Sequence, residues 1–425
     1  MEYNNNLNKK ESVKYDYSKI IFDEYNNNLR FEERVQNANE WLQELECHGI
    51  SLNRKVIETG SKEVVEIFDD KTSELKKYIN LGSNDYLNLS HHPEIIKAVA
   101  VSAAVFGCGA GSAPHILGTS RLHDTLEKRI AAFKGCEAAI VQSCGFSANC
   151  GLINALLKKK DIAIFDQFSH QSLIEGANRW ETNRIFFRHN DMESLEYILK
   201  KAEKEFLNRL VVVDGIYSME GDMAPLNTIA ELTKKYHAWL LVDDAHATGT
   251  TGNTGKGTIE YFNLEGKVDI VTGTFSKAVG SVGGFIAGKK EFINYIMLSN
   301  NSFIFSTAAF IPSIAASLKG LEIIESEPWL LTNLKENTRL LKNGLIELGY
   351  HLTETVSPII PVLIGDEDET HFLGAKLREY GIIAPAVTFP AVPKGKGRIR
   401  LSVTAGLTSS QSGYVLDIFK KLKKN

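Results

Sequence analysis

The alternation of short apolar runs with longer amphipathic stretches, from about residue 120 to residue 290, constrains the fold of this chain most strongly. Helix-like stretches such as Ser147–Leu157 and Leu226–Tyr236 lie between most of these runs. The runs are Ala138–Gln142, Asp161–Phe165, Arg184–Phe187, Leu210–Asp214, Trp239–Asp243, Asp269–Gly273 and Gly283–Ala287. Buried strands that alternate with helices predict an α/β fold with a mostly parallel sheet covered on both faces.

A second, smaller unit of α+β type is predicted after about residue 310. Its helices are expected at Ile311–Glu325 and Leu330–Leu348, and its strands near Ile359–Ile364 and Arg398–Val403. We therefore divide the chain into an N-terminal arm and small segment (1–95), a large domain (96–308) and a C-terminal domain (309–425). Within the first part, apolar spacing predicts an amphipathic helix over about Phe31–Cys47.

Composition excludes several classes of protein. The 425 residues are 43% hydrophobic and 24% charged with a formal net charge of −4, so no nucleic-acid partner is expected. The five cysteines are odd in number and form no CxxC pair, which argues against a disulfide framework and a cysteine-based zinc site. No apolar run approaches the roughly 18 residues of a transmembrane segment, and Met1–Lys10 does not resemble a signal peptide. A cytoplasmic location is therefore expected.

Polar residues follow several of the predicted strands at their carboxyl ends, where open parallel sheets bind ligands. Asp166 and His170 follow one run, Tyr217 and Ser218 follow another, and a third ends in Asp243-Asp244-Ala245-His246. A further run leads into Thr274-Phe275-Ser276-Lys277. The run Ala138–Gln142 leads into a glycine-containing turn and a helix, whose free amides and positive dipole end suit a phosphate.

One cofactor fits this set of groups better than others. Pyridoxal phosphate (PLP) needs a lysine amine for its aldehyde, a carboxylate for its pyridine nitrogen and a cup for its phosphate. A lone lysine or aspartate at a strand end is usually a surface or capping residue. Their joint placement at successive strand ends favours a PLP site.

Longer motifs at the same positions resemble the α-oxoamine synthases, a branch of the fold-type I PLP enzymes. The resemblance runs from about Leu81 to the C-terminus. The matching segments are Thr272–Phe285 around Lys277, Asp243–His246, Ser169–Ser172, Tyr217–Asp222 and Phe305–Ala308. The implied fold is a fold-type I transferase with a large, mostly parallel-sheet domain and a smaller C-terminal α+β domain.

The resemblance implies four catalytic residues. Lys277 forms the Schiff base with PLP and moves protons at the α-carbon of the substrate. Asp243 pairs with the pyridine nitrogen, His170 stacks on the ring, and His246 lies with Ser218 on the side of the phenolic oxygen.

The resemblance also implies the remaining contacts. Backbone amides near Gly145 and Phe146, with the hydroxyl of Thr274, hold the phosphate. Ser306 and Thr307 reach the phosphate of the neighbouring subunit, which implies a homodimer with shared active sites. For the substrate, Arg400 pairs with the carboxylate and Asn84 lies nearby.

The implied reaction joins a small amino acid, namely serine, glycine or alanine, to an acyl thioester, usually with loss of carbon dioxide. The thioester is carried by coenzyme A or by an acyl carrier protein. Different segments resemble serine palmitoyltransferases, glycine C-acetyltransferases and 8-amino-7-oxononanoate synthases, so the substrates stay open. Two positions depart from the family pattern: Pro114 stands where arginine is usual, and Leu407 replaces a frequent histidine.

Other classes of protein fit this sequence less well. Gly252–Thr258 only superficially resembles a P-loop, because its glycine spacing is wrong and Gly257 stands where Ser or Thr should follow the lysine. A catalytically silent subunit would be expected to lack Lys277. A fold-type I aminotransferase is a more remote alternative, since it would not predict the Asp243–His246 pair together with the Arg400 segment. No metal site is predicted, since His91 and His92 are adjacent rather than spaced as ligands on one helix face.

Overall fold

The computed structural model describes residues 29–47, 55–69, 73–178 and 182–423. Its central feature is a seven-stranded sheet in the order β3-β9-β8-β7-β6-β4-β5. The strands of this sheet are β3 (Ala138–Gln142), β4 (Asp161–Asp166), β5 (Asn183–Phe187), β6 (Asn208–Asp214), β7 (Trp239–Asp243), β8 (Ile270–Thr274) and β9 (Gly284–Gly288). All seven lie within a residue or two of the apolar runs in the sequence.

The sheet is parallel except at one strand, β9, which runs antiparallel to both β3 and β8. Every residue of β4 and of β8 is buried, as expected for strands covered on both faces. The predicted mostly parallel sheet is therefore confirmed. Because the parallel strands point the same way, the residues that follow β4, β6, β7 and β8 meet at one edge of the sheet.

Helices cover both faces of the central sheet. Several have identifiable caps: the side chain of Asp191 accepts a bond from the Ser194 amide at 2.8 Å, and Gly135 ends a helix in the left-handed conformation at φ 66°. The helices up to the end of this sheet are α1 (Phe31–Cys47), α2 (Pro93–Phe106), α3 (Arg121–Lys134), α4 (Gly145–Leu156), α5 (Gln171–Gly176), α6 (Met192–Glu205), α7 (Leu226–Lys235) and α8 (Thr258–Phe262). The predicted helix at Phe31–Cys47 is thus confirmed, and Pro114 opens a single π-helical turn, Pro114–Gly118.

The C-terminal part contains both predicted helices and both predicted strands. The helices that follow the central sheet are α9 (Lys290–Ser299) and α10 (Asn301–Ile304), which precede residue 309, and then α11 (Ile311–Ser326), α12 (Trp329–Glu347), α13 (Glu367–Glu379) and α14 (Ser409–Lys423). An antiparallel sheet of order β10-β13-β12 consists of β10 (Ile359–Gly365), β12 (Ala386–Val387) and β13 (Gly397–Ser402). Leu407, which follows β13, is buried in the core.

A third sheet combines two strands of the N-terminal segment with one strand of the C-terminal domain. β1 (Val64–Asp69) pairs antiparallel with β2 (Glu74–Asn80), and β11 (Ile382–Ile383) adds to β2 in parallel. The first segment therefore packs with the C-terminal domain, and the division at residues 95 and 308 stays a prediction. Most of the proposed N-terminal arm lies outside the described residues. No helix among the residues that the structure describes is long and apolar enough to cross a membrane.

Candidate active site

A cavity of about 240 Å³ opens at the carboxyl edge of the central sheet. Its walls come from the starts of α4 and α5 and from the segments after β6, β7 and β8. Of the residues that the sequence indicated, seven line it: Gly145, Phe146, His170, Asp243, His246, Thr274 and Lys277. The structure thus brings together residues up to 132 positions apart (145 to 277), because strands that are distant in sequence are neighbours in the sheet.

Lys277 lies in the loop after β8, with its amine at the cavity. Loss of hydration through burial lowers the pKa of this amine to about 8. The nearby carboxylate of Asp243 acts in the opposite direction, and the Arg400 guanidinium lowers the pKa further. A lysine with this pKa has a substantial uncharged fraction near neutral pH, which a nucleophile for an aldehyde requires.

Asp243 ends β7 and is only 4% exposed. Its Oδ1 accepts a bond from the Ala245 amide at 2.9 Å, and its Oδ2 accepts one from Nδ2 of Asn149 at 2.7 Å. Both oxygens are thus fixed by hydrogen bonds, and a carboxylate held in this way suits a protonated pyridine nitrogen.

A second carboxyl group, that of Asp214, lies beside Asp243. The two residues are partners in the register between β6 and β7, and Asp214 also lines the cavity. Burial, and then the charge of Asp243, raise the pKa of Asp214 well above its ordinary value. Its Oδ1 accepts a bond from the backbone amide of His170 at 3.0 Å. Both effects favour the protonated form of Asp214 beside Asp243.

The start of α4 provides the cup for an anion. The first turn of a helix has amides without intrahelical acceptors, and here these include the amides of Gly145 and Phe146. A Cβ at Gly145 would lie 3.1 Å from the Cβ of Thr274, so a side chain would crowd this cup. The hydroxyl of Thr274 donates to the Gly283 carbonyl at 2.7 Å and accepts from the Ser276 amide at 3.1 Å. Its role as a phosphate donor stays a prediction.

The proposed substrate residues, Arg400 and Asn84, contact each other near Lys277 but are not part of the cavity wall. Arg400, on β13, donates through Nε to the Ser218 carbonyl at 2.6 Å and through Nη1 to Ser402 Oγ at 2.7 Å. Both Nη atoms also lie 3.3–3.4 Å from Oδ1 of Asn84. Within the described part of the chain, no carboxylate forms an ion pair with this guanidinium, so its charge is available to an anionic ligand.

His246 is buried, and its Nδ1 lies 2.7 Å from the hydroxyl of Tyr86. Burial, and then the charge of Lys277, hold the pKa of His246 well below its ordinary value. The imidazole is therefore neutral at physiological pH and can share a hydrogen bond without adding charge.

Besides Arg400 and Asn84, three of the predicted contacts are not part of the cavity wall within one chain. Ser218 contacts Arg400 through its carbonyl group, but its side chain is not part of the cavity wall. Ser306 and Thr307 follow α10 and also lie away from this wall. The family resemblance implies that Ser306 and Thr307 reach the phosphate of a neighbouring subunit, so their role stays a prediction.

Eight lining residues were not predicted from the sequence, and four of them have a hydroxyl, amide or carboxyl side chain: Asn149, Ser172, Asp214 and Ser276. Asp214 carried a usable signal, because it ends a predicted strand in the same way as Asp243. Asn149 lies one helical turn after Gly145 and therefore shares its face of α4. For Ser172 and Ser276, the sequence carries no signal beyond their position in the motifs.

A model of the family "Aminotransferase class I and II" matches residues 76–419 of this chain, most of its length. Curated relatives are similar over nearly the same span: 8-amino-7-oxononanoate synthase from Treponema denticola is 40% identical over 349 residues, which cover 82% of this chain and 88% of that protein. 8-Amino-7-oxononanoate synthase 1 from Bacillus subtilis is also 40% identical, and the match covers 82% of this chain and 89% of that protein. The chain belongs to the aminotransferase class I and II family.

Among solved structures, this family member resembles serine palmitoyltransferases. The enzyme from Sphingomonas wittichii superposes with a TM-score of 0.88 at 30% identity, over 93% of this chain and 98% of that one. A serine palmitoyltransferase structure with PLP has the same TM-score at 31% identity, over 93% of this chain and 99% of that one. These neighbours and the curated relatives place the chain in the α-oxoamine synthase group, and they confirm the predicted fold-type I class and PLP as the cofactor.

The residues of the cavity fit this cofactor. An amine of lowered pKa, a buried carboxylate and a helix start with free amides occupy three different parts of one wall. These are the groups that the aldehyde, the pyridine nitrogen and the phosphate of PLP require.

Proposed function

We propose that this α-oxoamine synthase condenses a small amino acid with an acyl thioester at the cavity around Lys277. The observation that supports this most directly is the position of Arg400. Its buried guanidinium lies close enough to Lys277 to lower the pKa of that amine, but it has no acidic partner among the described residues. A planar cation of this kind suits the carboxylate of an amino acid, which would place the α-carbon beside the lysine amine.

The residues of this chain then have separate tasks. When bound, PLP withdraws electrons from the α-carbon of an attached amino acid and so makes its proton acidic. Asp243 holds the negative charge that this withdrawal requires. The amine of Lys277, with a pKa of about 8, is suited to take up and return a proton at the α-carbon.

The identity of the amino acid follows best from the relatives. The product named in 8-amino-7-oxononanoate synthase has a ketone next to an amino-bearing carbon with a terminal methyl group. Decarboxylative condensation of alanine with a dicarboxylic acyl thioester yields that arrangement of atoms. Alanine is therefore our first candidate for this chain, and the sequence relatives at 40% identity support it.

Serine is the second candidate, because the structural neighbours with a TM-score of 0.88 are serine palmitoyltransferases. The two candidates differ in both substrates, since the name of the second enzyme implies a long apolar acyl chain. The choice between coenzyme A and a carrier protein, and the cytoplasmic location, stay predictions.

We further propose a homodimer with shared active sites. Exposed apolar side chains occur shortly before Ser306 and Thr307 in the sequence and on the Pro114–Gly118 turn: Phe305 is 81% exposed, Leu298 77% and Leu117 86%. His115 anchors the Pro114–Gly118 turn beside these helices through a 2.6 Å bond to the Met297 carbonyl and a ring contact with Phe303. A monomer rarely exposes such a cluster, and a second copy would cover it.

The visible absorption spectrum of the PLP-loaded protein tests the reaction. Alanine, serine and glycine are added separately, and a change of the cofactor band with only one of them identifies the amino acid. Heptanedioyl-CoA and palmitoyl-CoA are then supplied, and thiol release is measured. Loss of every band change in Lys277→Ala is the control. A protein that stays colourless with added PLP would contradict the proposal.

A further inference from the structure

Four polar side chains form a continuous chain of hydrogen bonds along the wall of the cavity. Nδ2 of Asn149, on α4, donates to Oδ2 of Asp243 at 2.7 Å and to Oγ of Ser172 at 2.9 Å. Oγ of Ser172 in turn lies 2.7 Å from Nδ1 of His170. Asn149 and Ser172 are 4% and 1% exposed, so water does not compete for these bonds.

The orientation of the Asn149 amide is determined by its neighbours. An ionised carboxylate only accepts hydrogen bonds, so the group 2.7 Å from Asp243 must be the NH₂ of Asn149 rather than its oxygen. Both protons of this NH₂ are then used, one for Asp243 and one for Ser172. Oδ1 of Asn149 has no hydrogen-bond partner within the described residues, which is the cost of this arrangement.

The tautomer of His170 follows from a backbone amide. The N–H of Ser172 points to Nδ1 of His170 at 3.3 Å, and a backbone N–H can only donate. Nδ1 is therefore an acceptor and carries no proton. The Ser172 hydroxyl, whose oxygen already accepts from Asn149, donates its own proton to the same nitrogen. The single proton of the neutral imidazole must then be on Nε2.

We propose that Asn149 and Ser172 are positioning residues that connect the carboxylate of Asp243 with the imidazole of His170 and hold His170 as the neutral Nε2–H tautomer. We call this series of hydrogen bonds the relay. It starts at Asp243, which is predicted to face the pyridine nitrogen, and ends at His170, which is predicted to stack on the cofactor. A third contact, from Oδ1 of Asp214 to the His170 amide at 3.0 Å, fixes the backbone at the same point.

The charges around His170 agree with this assignment. Burial lowers the pKa of His170. The charge of Asp243 raises this pKa and the charge of Lys277 lowers it, so that the pKa is below its ordinary value. A proton on Nδ1 would also oppose both donors of Ser172. His170 can consequently donate a hydrogen bond from Nε2 into the cavity, but it has no free lone pair with which to act as a base. Lys277 is then the residue that transfers the α-proton.

Nitrogen-15 NMR of the imidazoles in the PLP-loaded protein tests the proposal directly. We expect a His170 signal with an unprotonated Nδ1 and a protonated Nε2, assigned by its loss in His170→Gln. In Ser172→Ala, Nδ1 loses its hydroxyl donor, and the pKa of His170 should rise by about half a unit to one unit. Ser172→Thr keeps the hydroxyl and should restore the original value.

Two further variants separate a relay from a general effect on folding. Ser169→Ala removes a buried serine in the same loop that donates only to the Val212 carbonyl at 3.3 Å, and it should leave the His170 signal unchanged. Asn149→Ala should shift the His170 signal and also weaken PLP binding, because it frees both ends of the relay. A proton on Nδ1 in the unmodified protein would overturn the proposal.

An Asn149→Ala variant that leaves the His170 signal unchanged would also overturn it. The inference rests on the proposed function only in placing Asp243 and His170 at the cofactor. The NMR signal does not depend on which amino acid or thioester reacts, so failure of the substrate assignment would leave this test intact.

Discussion

The amine of Lys277 lies in a cavity whose walls remove most of its hydration, and this burial lowers its pKa to about 8. The same walls keep His170 and His246 neutral, since burial lowers the pKa of both imidazoles. Burial thus shifts the pKa of the lysine and of both imidazoles in the direction of their uncharged forms, next to the carboxylate of Asp243. At the scale of single residues, desolvation accounts for most of the reactivity of this site.

Replacement of the lysine tests its covalent role. In Lys277→Ala, no other lysine of the described residues lines the cavity, so multiple turnover should fall by at least about three orders of magnitude. Borohydride reduction followed by mass spectrometry should show the PLP adduct in the unmodified protein and none in the variant. The exposed Lys290→Ala serves as the matched control and should keep full activity. Substantial turnover by Lys277→Ala would show that the lysine was misassigned.

The pH dependence of cofactor attachment follows from the lowered pKa. Only the uncharged amine attacks an aldehyde, so the rate of covalent PLP attachment should rise about tenfold per pH unit below pH 8 and level off above it. Stopped-flow absorbance of the cofactor-free protein mixed with PLP measures this rate. An inflection near the ordinary lysine value of 10.5 would mean that the amine is solvated.

At the scale of elements, buried charges attach helices and loops to the end of the central sheet. Lys134, at the end of α3, donates to Asp244 Oδ2 at 2.9 Å, and both side chains are 1% exposed or less. Thr258 at the start of α8 also donates to Asp244. Since Asp244 follows Asp243 directly, this buried pair holds the strand end that carries the carboxylate of the site.

Breaking this pair should be costly because it leaves an uncompensated buried charge. We expect Lys134→Ala to lower the free energy of unfolding by about 3–5 kcal/mol in chemical denaturation. Lys128→Ala in the same helix removes an exposed pair with Asp124 and should cost less than about 1 kcal/mol. Equal effects of the two substitutions would show that the burial of the Lys134 pair does not matter.

His189 bridges the end of β4 and the loop that follows β6. Its Nδ1 lies 2.9 Å from Asp166, at the end of β4, and its Nε2 lies 2.8 Å from Asp222, in the loop that follows β6. Burial opposes a charge on this ring, but the bonds to the two carboxylates outweigh it and raise the pKa to about 9. The same loop carries Ser218, the carbonyl partner of Arg400.

This raised pKa predicts a stability that depends on pH. Because the folded pKa of about 9 exceeds the ordinary value of 6.5, the contribution is complete below pH 6.5 and is lost as the pH rises through 9. The difference in unfolding free energy between the unmodified protein and His189→Gln should fall by about 3 kcal/mol over that range. The exposed His351→Gln is the control. A difference that does not change with pH would contradict the assignment.

At the scale of the whole molecule, one chain leaves part of the predicted site outside its own cavity. The exposed side chains of Leu298 and Phe305 precede Ser306 and Thr307 in the sequence, and these two residues are not part of the cavity wall around Lys277 of the same chain. A two-fold dimer that covers this surface would bring the two hydroxyl groups to a neighbouring cavity. The completeness of the phosphate cup then depends on assembly.

Mixed dimers test this arrangement. Lys277→Ala and the double variant Ser306→Ala/Thr307→Ala are each expected to have little activity at limiting PLP. After equal mixing and subunit exchange, one site in four would have an intact lysine and intact hydroxyl groups, so about 25% of the normal activity should return. Activity that stays at the level of the separate variants, although exchange is demonstrated by size and label, would contradict shared sites.

The amino-acid sequence by itself determined the alternating strands and helices and the polar residues at the strand ends. These features depend on local patterns. The spacing of apolar residues determines whether a segment forms a strand or a helix, and the connections between parallel strands place their carboxyl ends at the same edge of the sheet. Lys277, Asp243, His170 and His246 could therefore be assigned to one cavity before the fold was known, and motif resemblance extended the assignment to PLP.

Only the tertiary structure decided how these groups are held and charged. The bonds from Asn149 to Asp243 and from Arg400 to Asn84 join residues 94 and 316 positions apart, and no local pattern specifies such contacts. The pKa of Lys277 depends on the burial produced by the surrounding walls, and the pairing of β2 with β11 depends on packing between the two ends of the chain. Desolvation and hydrogen-bond direction are properties of the packed site, because each depends on neighbours that folding alone brings together.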